Sequence, residues 1–128
     1  MSCLFNSLSY HTKNYTSPQL RTMICDYLQT DPILIEDKNF SSLLGSKQKL
    51  NSYVKNMRSP NTWGGAYEIR AFCEIFQVIV YVRTSSHRRD IEFRPHELNI
   101  DHPKIVRIDW NGFHYEPLRT RTGHGIRG

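Results

Sequence analysis

The sequence predicts an α+β domain in which helices come first and pack on a small, mainly antiparallel sheet. Three observations support this fold class. Apolar residues recur at helical spacing through most of residues 3–76, a β-branched run, VIVYV, occupies residues 78–82, and Asn111-Gly112 separates two strand-like segments near the end. A chain of 128 residues is long enough for one core, so we expect one domain and one site.

The first half of the chain predicts three helices separated by turn signals. Residues 2–11 have apolar positions on one helical face, and Ser17-Pro18 is typical of a second helix start, with a cap residue followed by proline. Asp31-Pro32 predicts the end of that helix. Residues 33–46 predict a loop with a partial helix, and residues 47–57 an amphipathic helix with a basic outer face.

The second half predicts one more helix and then the sheet. Residues 66–76 form a strongly apolar helical segment, and residues 78–82 read as a strand covered on both faces. Residues 91–93 predict a short strand. Residues 104–110 and 113–118 flank the Asn-Gly pair, which is the strongest short hairpin signal, so we expect two antiparallel strands there.

Composition excludes several classes of protein. Hydrophobic residues make up 38% and charged residues 23%, values typical of a folded domain. No apolar run approaches the roughly 20 residues that a membrane-crossing helix needs, and the start of the chain does not have the pattern of a signal peptide. Three cysteines with no close pair predict neither a disulfide framework nor a thiolate zinc site. We therefore expect a reducing, cytoplasmic compartment and no membrane partner.

The positive charge is concentrated at the end of the chain. The formal net charge is +5, but Arg119, Arg121 and Arg127 all lie in the last ten residues, and without them the charge is about +2. We expect residues 1–118 to form the folded domain and residues 119–128 a basic, flexible tail. The pair Arg88-Arg89 and the tail suggest a nucleic-acid-binding domain, but charge runs are usually solvated and no aromatic-basic RNA motif is present. No nucleic-acid partner is predicted.

Two separated residues suggest thiol chemistry. Cys3 lies at a predicted helix start, where free backbone N–H groups and the helix dipole stabilise a thiolate. His114 follows the Asn-Gly turn on a predicted strand, a rigid element that can aim an imidazole as a base. Glu116 is two residues further on and so shares a strand face with His114, where it can orient the ring. The alternative for each residue is a packing or surface role, which is the more frequent one.

Other residues have a structural or an open interpretation. Cys25 and Cys73 lie within apolar helical faces, so we assign both to the core. The segment Trp63-Gly64-Gly65 has two readings of equal weight. It is a helix entry, or its glycines let a peptide backbone approach beside an aromatic wall.

Three ordered blocks resemble the ovarian-tumour (OTU) family of cysteine proteases. Cys3-Leu4-Phe5-Asn6-Ser7-Leu8 is similar to the family's nucleophile helix, and residues 63–72, WGGAYEIRAF, are similar to its Trp-Gly-Gly, Glu-Ile and Ala segment. Residues 112–118, GFHYEPL, resemble its C-terminal His-Tyr block. The order and spacing of the blocks match, and the resemblance covers roughly residues 3–118.

The resemblance implies a papain-like fold of OTU type and a thiol-dependent hydrolase. Such an enzyme cleaves isopeptide or peptide bonds after the C-terminal glycine of ubiquitin or a ubiquitin-like modifier, without a metal or cofactor. It implies that Cys3 is the nucleophile, His114 its base and Glu116 the orienting group, with Asn111 as a possible substitute because the family usually has Asp or Asn there. Trp63, Gly64 and Gly65 would bind substrate by lining the channel for the modifier's tail.

The sequence departs from the family pattern before the nucleophile. The usual Asp-Gly-x is replaced by Met1-Ser2, which leaves two residues where backbone amides form the oxyanion hole. Losing an oxyanion donor typically costs about a hundredfold to a thousandfold in rate. We therefore expect a domain truncated at its N-terminal edge, and keep as the alternative a catalytically impaired, ubiquitin-binding module of the same fold. The sequence leaves the modifier, chain linkage, origin and oligomeric state open.

Overall fold

Helices precede the main sheet, as predicted. The structure is a computed structural model that describes residues 3–84, 90–98, 100–112 and 114–118. The helices in those residues are α1 (Cys3–Thr12), α2 (Ser17–Gln29), α3 (Phe40–Leu44), α4 (Lys47–Met57) and α5 (Ala66–Phe76). The predicted tail, residues 119–128, lies outside the described residues, as do Met1 and Ser2. No helix in the described part is long and apolar enough to cross a bilayer.

The strands form a two-stranded ribbon and a four-stranded sheet. The ribbon pairs β1 (Ile33–Ile35) with β2 (Lys38–Asn39). The sheet contains β3 (Ile79–Thr84), β4 (Asp90–Phe93), β5 (Ile105–Trp110) and β6 (Tyr115–Pro117), in the order β4-β3-β5-β6. The β3–β4 and β5–β6 pairs are antiparallel and the central β3–β5 pair is parallel. The predicted α+β class with a mainly antiparallel sheet is confirmed.

The start of α2 differs by one residue from the prediction. Thr16, not Ser17, is the N-cap: its hydroxyl accepts from the Gln19 N–H at 3.3 Å, and the Thr16 N–H donates to Gln19 Oε1 at 2.8 Å. This reciprocal capping box satisfies two backbone donors at once, which favours Thr16 over its neighbour as the cap. The helix ends at Gln29, just before the predicted stop at Asp31-Pro32.

Residues 33–46 contain more regular structure than the predicted loop with a partial helix. The ribbon leads directly into the short helix α3. Asp31 holds the start of α3, because its carboxylate accepts from the Ser41 N–H and hydroxyl, both at 2.7 Å, and from Asn39 Nδ2 at 3.0 Å. A side chain from before the segment therefore organises it, a contact that local composition does not reveal.

The core lies between the helices and one face of the sheet. Its largest buried side chains are Phe5, Phe40, Phe72, Leu4, Leu8, Leu20, Ile24, Leu28, Leu34, Leu50, Ile69 and Ile108. Cys25 and Cys73 are buried among them, as predicted. The prediction that the strand over residues 78–82 is covered on both faces is confirmed, because Val80 and Val82 on one face and Ile79 on the other are buried and Tyr81 is half-buried. Arg83, just beyond that run, is exposed and pairs with Asp109 at 3.3 Å.

Candidate active site

Cys3 is the first residue of α1 and is half-buried. The helix is anchored behind it by Leu4, Phe5 and Leu8, all of which lie in the core. The Ser7 hydroxyl donates to the Cys3 carbonyl oxygen at 2.9 Å, which fixes the first turn. Backbone N–H groups in the first turn of a helix have no intrahelical acceptor, so a helix N-terminus attracts negative charge.

The other two thiols are in an unreactive setting. Burial raises the pKa of Cys25 to about 11 and that of Cys73 to about 12. Both side chains are fully buried, so neither access nor ionisation favours attack on a substrate. Among the three cysteines, position and exposure single out Cys3.

His114 is held by the turn that precedes it. Asn111 Oδ1 accepts from the His114 N–H at 2.8 Å, and the Asn111 N–H donates to the His114 carbonyl at 3.2 Å. Gly112 has a φ of +100°, a conformation that favours glycine and lets the chain turn between β5 and β6. The His114 ring stacks on Trp63, with ring centroids 6.0 Å apart and an interplanar angle of 25°.

Helix α1 packs on β6, which brings the nucleophile helix beside the strand that follows His114. Tyr115, the first residue of β6, packs against the core, and burial raises the pKa of its hydroxyl. The structure therefore brings Cys3, Trp63 and His114 to one corner of the domain.

Glu116 lies on β6 directly opposite Asp109 of β5. Its side chain is exposed, and within the described residues no hydrogen bond joins it to the His114 ring. The side chain that contacts His114 from the turn is Asn111, which the resemblance suggested as a substitute. The orienting role of Glu116 stays a prediction.

The structure confirms one of the two readings of the segment Trp63-Gly64-Gly65, the helix entry, and its role beside a substrate backbone stays a prediction. Gly65 is the N-cap of α5, so the segment is a helix entry. Gly64 lies against α1: a Cβ added there would be 2.8 Å from Leu4 Cδ2 and 3.1 Å from Phe5 Cε2. A Cβ on Gly65 would meet nothing within 4 Å. The exposed side of the segment is therefore open space, bordered by Trp63, which is 47% exposed.

Sequence reasoning did not assign Glu68, which the structure places behind this segment. Its carboxylate accepts from the Gly65 N–H at 2.7 Å and from the Tyr53 hydroxyl at 2.6 Å. The available signal was its position, the third residue of a helix, where an acidic side chain can reach back to the cap N–H. Its complete burial was not predictable from that pattern, because Tyr53 comes from a different helix.

The arrangement is suited to thiol chemistry. Within the described residues, no group of three or more His, Cys, Asp or Glu side chains is placed to hold a metal ion. The thiol lies at a helix N-terminus that packs on Gly64, and the imidazole is stacked on the adjacent Trp63. These groups can supply a nucleophile and a base.

Comparisons with known proteins agree with this geometry. The family described as OTU-like cysteine protease matches residues 2–116. Ubiquitin thioesterase OTU1 of Mus musculus is 28% identical over 123 residues, which is 92% of this chain and 33% of that protein. The Gallus gallus protein of the same name is 26% identical over 125 residues, 94% of this chain and 38% of that protein. The chain spans about a third of the length of these relatives.

Solved structures show the same fold. An ovarian tumour (OTU) domain in complex with ubiquitin matches with a TM-score of 0.68 at 25% identity, covering 91% of this chain and 62% of that chain. An OTU deubiquitinase from Wolbachia pipientis wMel matches with a TM-score of 0.70 at 21% identity, covering 91% of this chain and 80% of that chain. The OTU-type fold expected from the resemblance is thereby confirmed.

Proposed function

The chain belongs to the OTU-like cysteine protease family, and on that premise we propose that it is a thiol-dependent deubiquitinase-like hydrolase. It cleaves isopeptide or peptide bonds after the C-terminal glycine of ubiquitin or a ubiquitin-like modifier. The observation that carries the proposal is the meeting of three features at one corner: the N-terminus of α1 with Cys3, the Trp63-Gly64-Gly65 segment, and the His114 ring stacked on Trp63. Relatives named ubiquitin thioesterase and a ubiquitin-bound neighbour support ubiquitin as the modifier.

The reaction uses Cys3 and His114 in sequence. The Cys3 sulfur attacks the carbonyl carbon of the modifier's last residue, while His114 accepts the thiol proton and passes it to the departing amine. The C–N bond breaks and a thioester forms. His114 then deprotonates a water molecule, which attacks the thioester, releases the modifier's carboxylate and restores the Cys3 thiol.

Two residues are candidates for the group that orients the His114 ring. The family resemblance assigns this role to Glu116, with Asn111 as the substitute, and Asn111 Oδ1 accepts from the backbone N–H of His114, which fixes the backbone from which the ring extends. Trp63 contributes in either case, because its stacked ring limits rotation of the imidazole. The requirement for a second group follows from the chemistry, since a base must present one tautomer to the thiol.

The substrate tail is expected to pass along the open side of the glycines. Only small residues leave space there, and the empty volume around a Cβ on Gly65 is consistent with such a passage. The exposed Trp63 forms its wall. We assign residues 1–118 to the catalytic domain, so a chain ending at Leu118 should keep its reactivity.

We also propose a reducing, cytoplasmic location. Cys3, Cys25 and Cys73 are all unpaired, and the nucleophile must be a free thiol to act. None of these three cysteines forms a disulfide of the kind that stabilises many small secreted domains.

The direct test is a ubiquitin that carries a thiol-reactive electrophile at its C-terminus. Intact mass should show one covalent adduct with the wild type and none with Cys3→Ala or His114→Ala. Cys25→Ala is the matched control, because it removes a buried thiol and should retain the adduct. An adduct that survives in Cys3→Ala would overturn the proposal.

A folded wild-type chain that forms no adduct would also contradict it. If such a chain still binds ubiquitin, and Cys3→Ala binds equally well, the domain is the catalytically impaired binding module. Binding is measured by titrating labelled ubiquitin, and folding by a cooperative urea transition.

A further inference from the structure

Glu68 is a buried carboxylate that the reaction described above does not use. It lies in the first turn of α5 and is 0% exposed. Burying a carboxylate is unfavourable unless it is paired or well hydrogen-bonded, so its presence calls for compensating contacts. Those contacts are the Gly65 N–H at 2.7 Å, the Tyr53 hydroxyl at 2.6 Å and the nearby positive charge of Arg21.

Helix capping alone does not account for this arrangement. The N–H of a cap residue such as Gly65 is satisfied equally well by water or by an exposed Glu or Gln side chain three residues on, neither of which requires a buried carboxylate. Here the acceptor is inside the core and is itself fixed by Tyr53 of another helix, α4. This arrangement fixes the position of the Gly65 backbone within the narrow range of distances that a hydrogen bond allows.

The Gly65 backbone continues directly into both sides of the candidate site. Its neighbour Gly64 is in van der Waals contact with Leu4 and Phe5, the two residues that follow the nucleophile. The next residue back, Trp63, carries the ring that stacks on His114. A shift at Gly65 is therefore transmitted to the nucleophile helix and to the base.

The same cluster reaches the nucleophile helix by a second route. The Arg21 guanidinium lies 4.3 Å from the centroid of the Phe5 ring and donates to the Met57 carbonyl at 2.8 Å. Burial raises the pKa of Glu68, and the positive charge of Arg21 on α2 opposes that rise. Elements α2, α4 and α5 therefore contribute groups to this cluster, and α1 contacts it through the Phe5 ring.

We propose that Glu68 is a positioning residue: its carboxylate, fixed by Tyr53, holds the Gly65 N–H so that Trp63 stays stacked on His114. The effect of Glu68 on the rate of catalysis rests on the proposed function. Its effect on the positions of Gly65 and His114 does not, because both residues can be observed directly in the folded chain.

The test compares two substitutions of equal size. Glu68→Gln keeps an oxygen that can accept from Gly65, whereas Glu68→Met fills the same volume without an acceptor. Glu74→Met is the matched control on the same helix, since the Glu74 carboxylate accepts from the His96 N–H, far from the glycine segment. The first readout is NMR: hydrogen exchange of the Gly65 amide, and the ring-proton shifts of His114 under the ring current of Trp63.

We expect the Gly65 amide of Glu68→Met to exchange at least about tenfold faster and the His114 shifts to move, with smaller changes in Glu68→Gln and none in Glu74→Met. With a ubiquitin-derived fluorogenic substrate, kcat should fall about tenfold to a hundredfold in Glu68→Met and be largely restored in Glu68→Gln. The rate of iodoacetamide labelling at Cys3 should fall together with kcat, because a displaced His114 no longer takes the thiol proton, and it should match the wild type in Glu74→Met. Labelling should still reach completion, which shows that the thiol itself is intact.

The outcomes are distinguishable. Gly65 exchange and His114 shifts that match the wild type in folded Glu68→Met would overturn the positioning role. If they change but the wild type itself fails to react with the ubiquitin electrophile, the positioning role stands and the proposed function falls. If Glu68→Met does not fold, Tyr53→Phe replaces it. That variant removes one bond to the carboxylate and should show the same changes in weaker form, and a wild-type spectrum would count against the inference.

Discussion

A methyl group added at Gly64 is the sharpest test of how the glycine segment meets the nucleophile helix. The new Cβ of Gly64→Ala would lie 2.8 Å from Leu4 Cδ2 and 3.1 and 3.2 Å from two atoms of the Phe5 ring. Carbon atoms in contact are normally about 3.5–4.0 Å apart. Both neighbours are fully buried, so neither can swing away without disturbing the core.

The expected cost is that of overpacking a filled core, about 1–3 kcal/mol of unfolding free energy. Gly65→Ala is the matched control because its Cβ meets nothing within 4 Å and its φ of −152° is accessible to alanine. It loses only the advantage of glycine over alanine as an N-cap, so we expect less than about 1 kcal/mol.

The two variants should also differ in reactivity. Urea unfolding, with an unchanged m-value, gives the free energies, and the ubiquitin electrophile gives the reaction rate. Gly65→Ala should fold normally. It should react more slowly than the wild type with the ubiquitin electrophile, because its methyl group enters the proposed channel, and at the wild-type rate with iodoacetamide. A Gly64→Ala variant no less stable than Gly65→Ala would refute the close packing of this segment on α1.

The remaining predictions concern the orientation of the base His114, the buried cation Arg21 and a second histidine, His11. Asn111→Ala should reduce kcat/KM more than Glu116→Gln, because Asn111 holds the His114 N–H at 2.8 Å; a larger loss in Glu116→Gln would assign the orienting role to the carboxylate. Arg21→Met should cost about 2–4 kcal/mol in urea unfolding, since it removes a buried donor and leaves Glu68 less compensated; a loss below about 1 kcal/mol would contradict this. Burial lowers the pKa of His11 despite its hydrogen bond to a backbone carbonyl, so its stabilising contribution is present above the unfolded pKa near 6.5 and is lost as pH falls through the folded value. The urea midpoint should therefore drop more steeply between pH 7 and 5 in the wild type than in His11→Gln, and equal slopes would exclude His11 as the cause.

Local signals predicted most of the elements because they act within a few residues. The proline at position 18, the apolar run of residues 66–76 and the Asn-Gly turn correspond to the start of α2, to α5 and to the β5–β6 connection. The one-residue error at Thr16 has a local cause as well, since the reciprocal bonds with Gln19 outweigh the preference of Ser17 for a cap position.

Local sequence signals did not predict which strands, distant from each other in the sequence, would pair. The sequence gives no indication that β3 and β5 are parallel neighbours, because the pairing of Ile79 with Ile105 depends on the path taken by the intervening residues. The burial of Glu68 likewise depends on a contact between residues that are distant in the sequence. Its partner Tyr53 comes from α4, and an acidic residue in a first helical turn is usually exposed.

The candidate site shows where the alternation rule stops applying. Residues two apart share a face only while both belong to one strand, and β6 begins at Tyr115, so His114 lies just outside it. Glu116 obeys the rule and faces the same side as its cross-strand partner Asp109, whereas His114 follows the turn and stacks on Trp63. The pairing of His114 with Glu116 therefore requires more than sequence spacing. The hydrogen bonds of the turn and the aromatic stack set the position of the imidazole, so substitutions at Asn111 and Trp63 should be more informative about the base than substitutions on the strand itself.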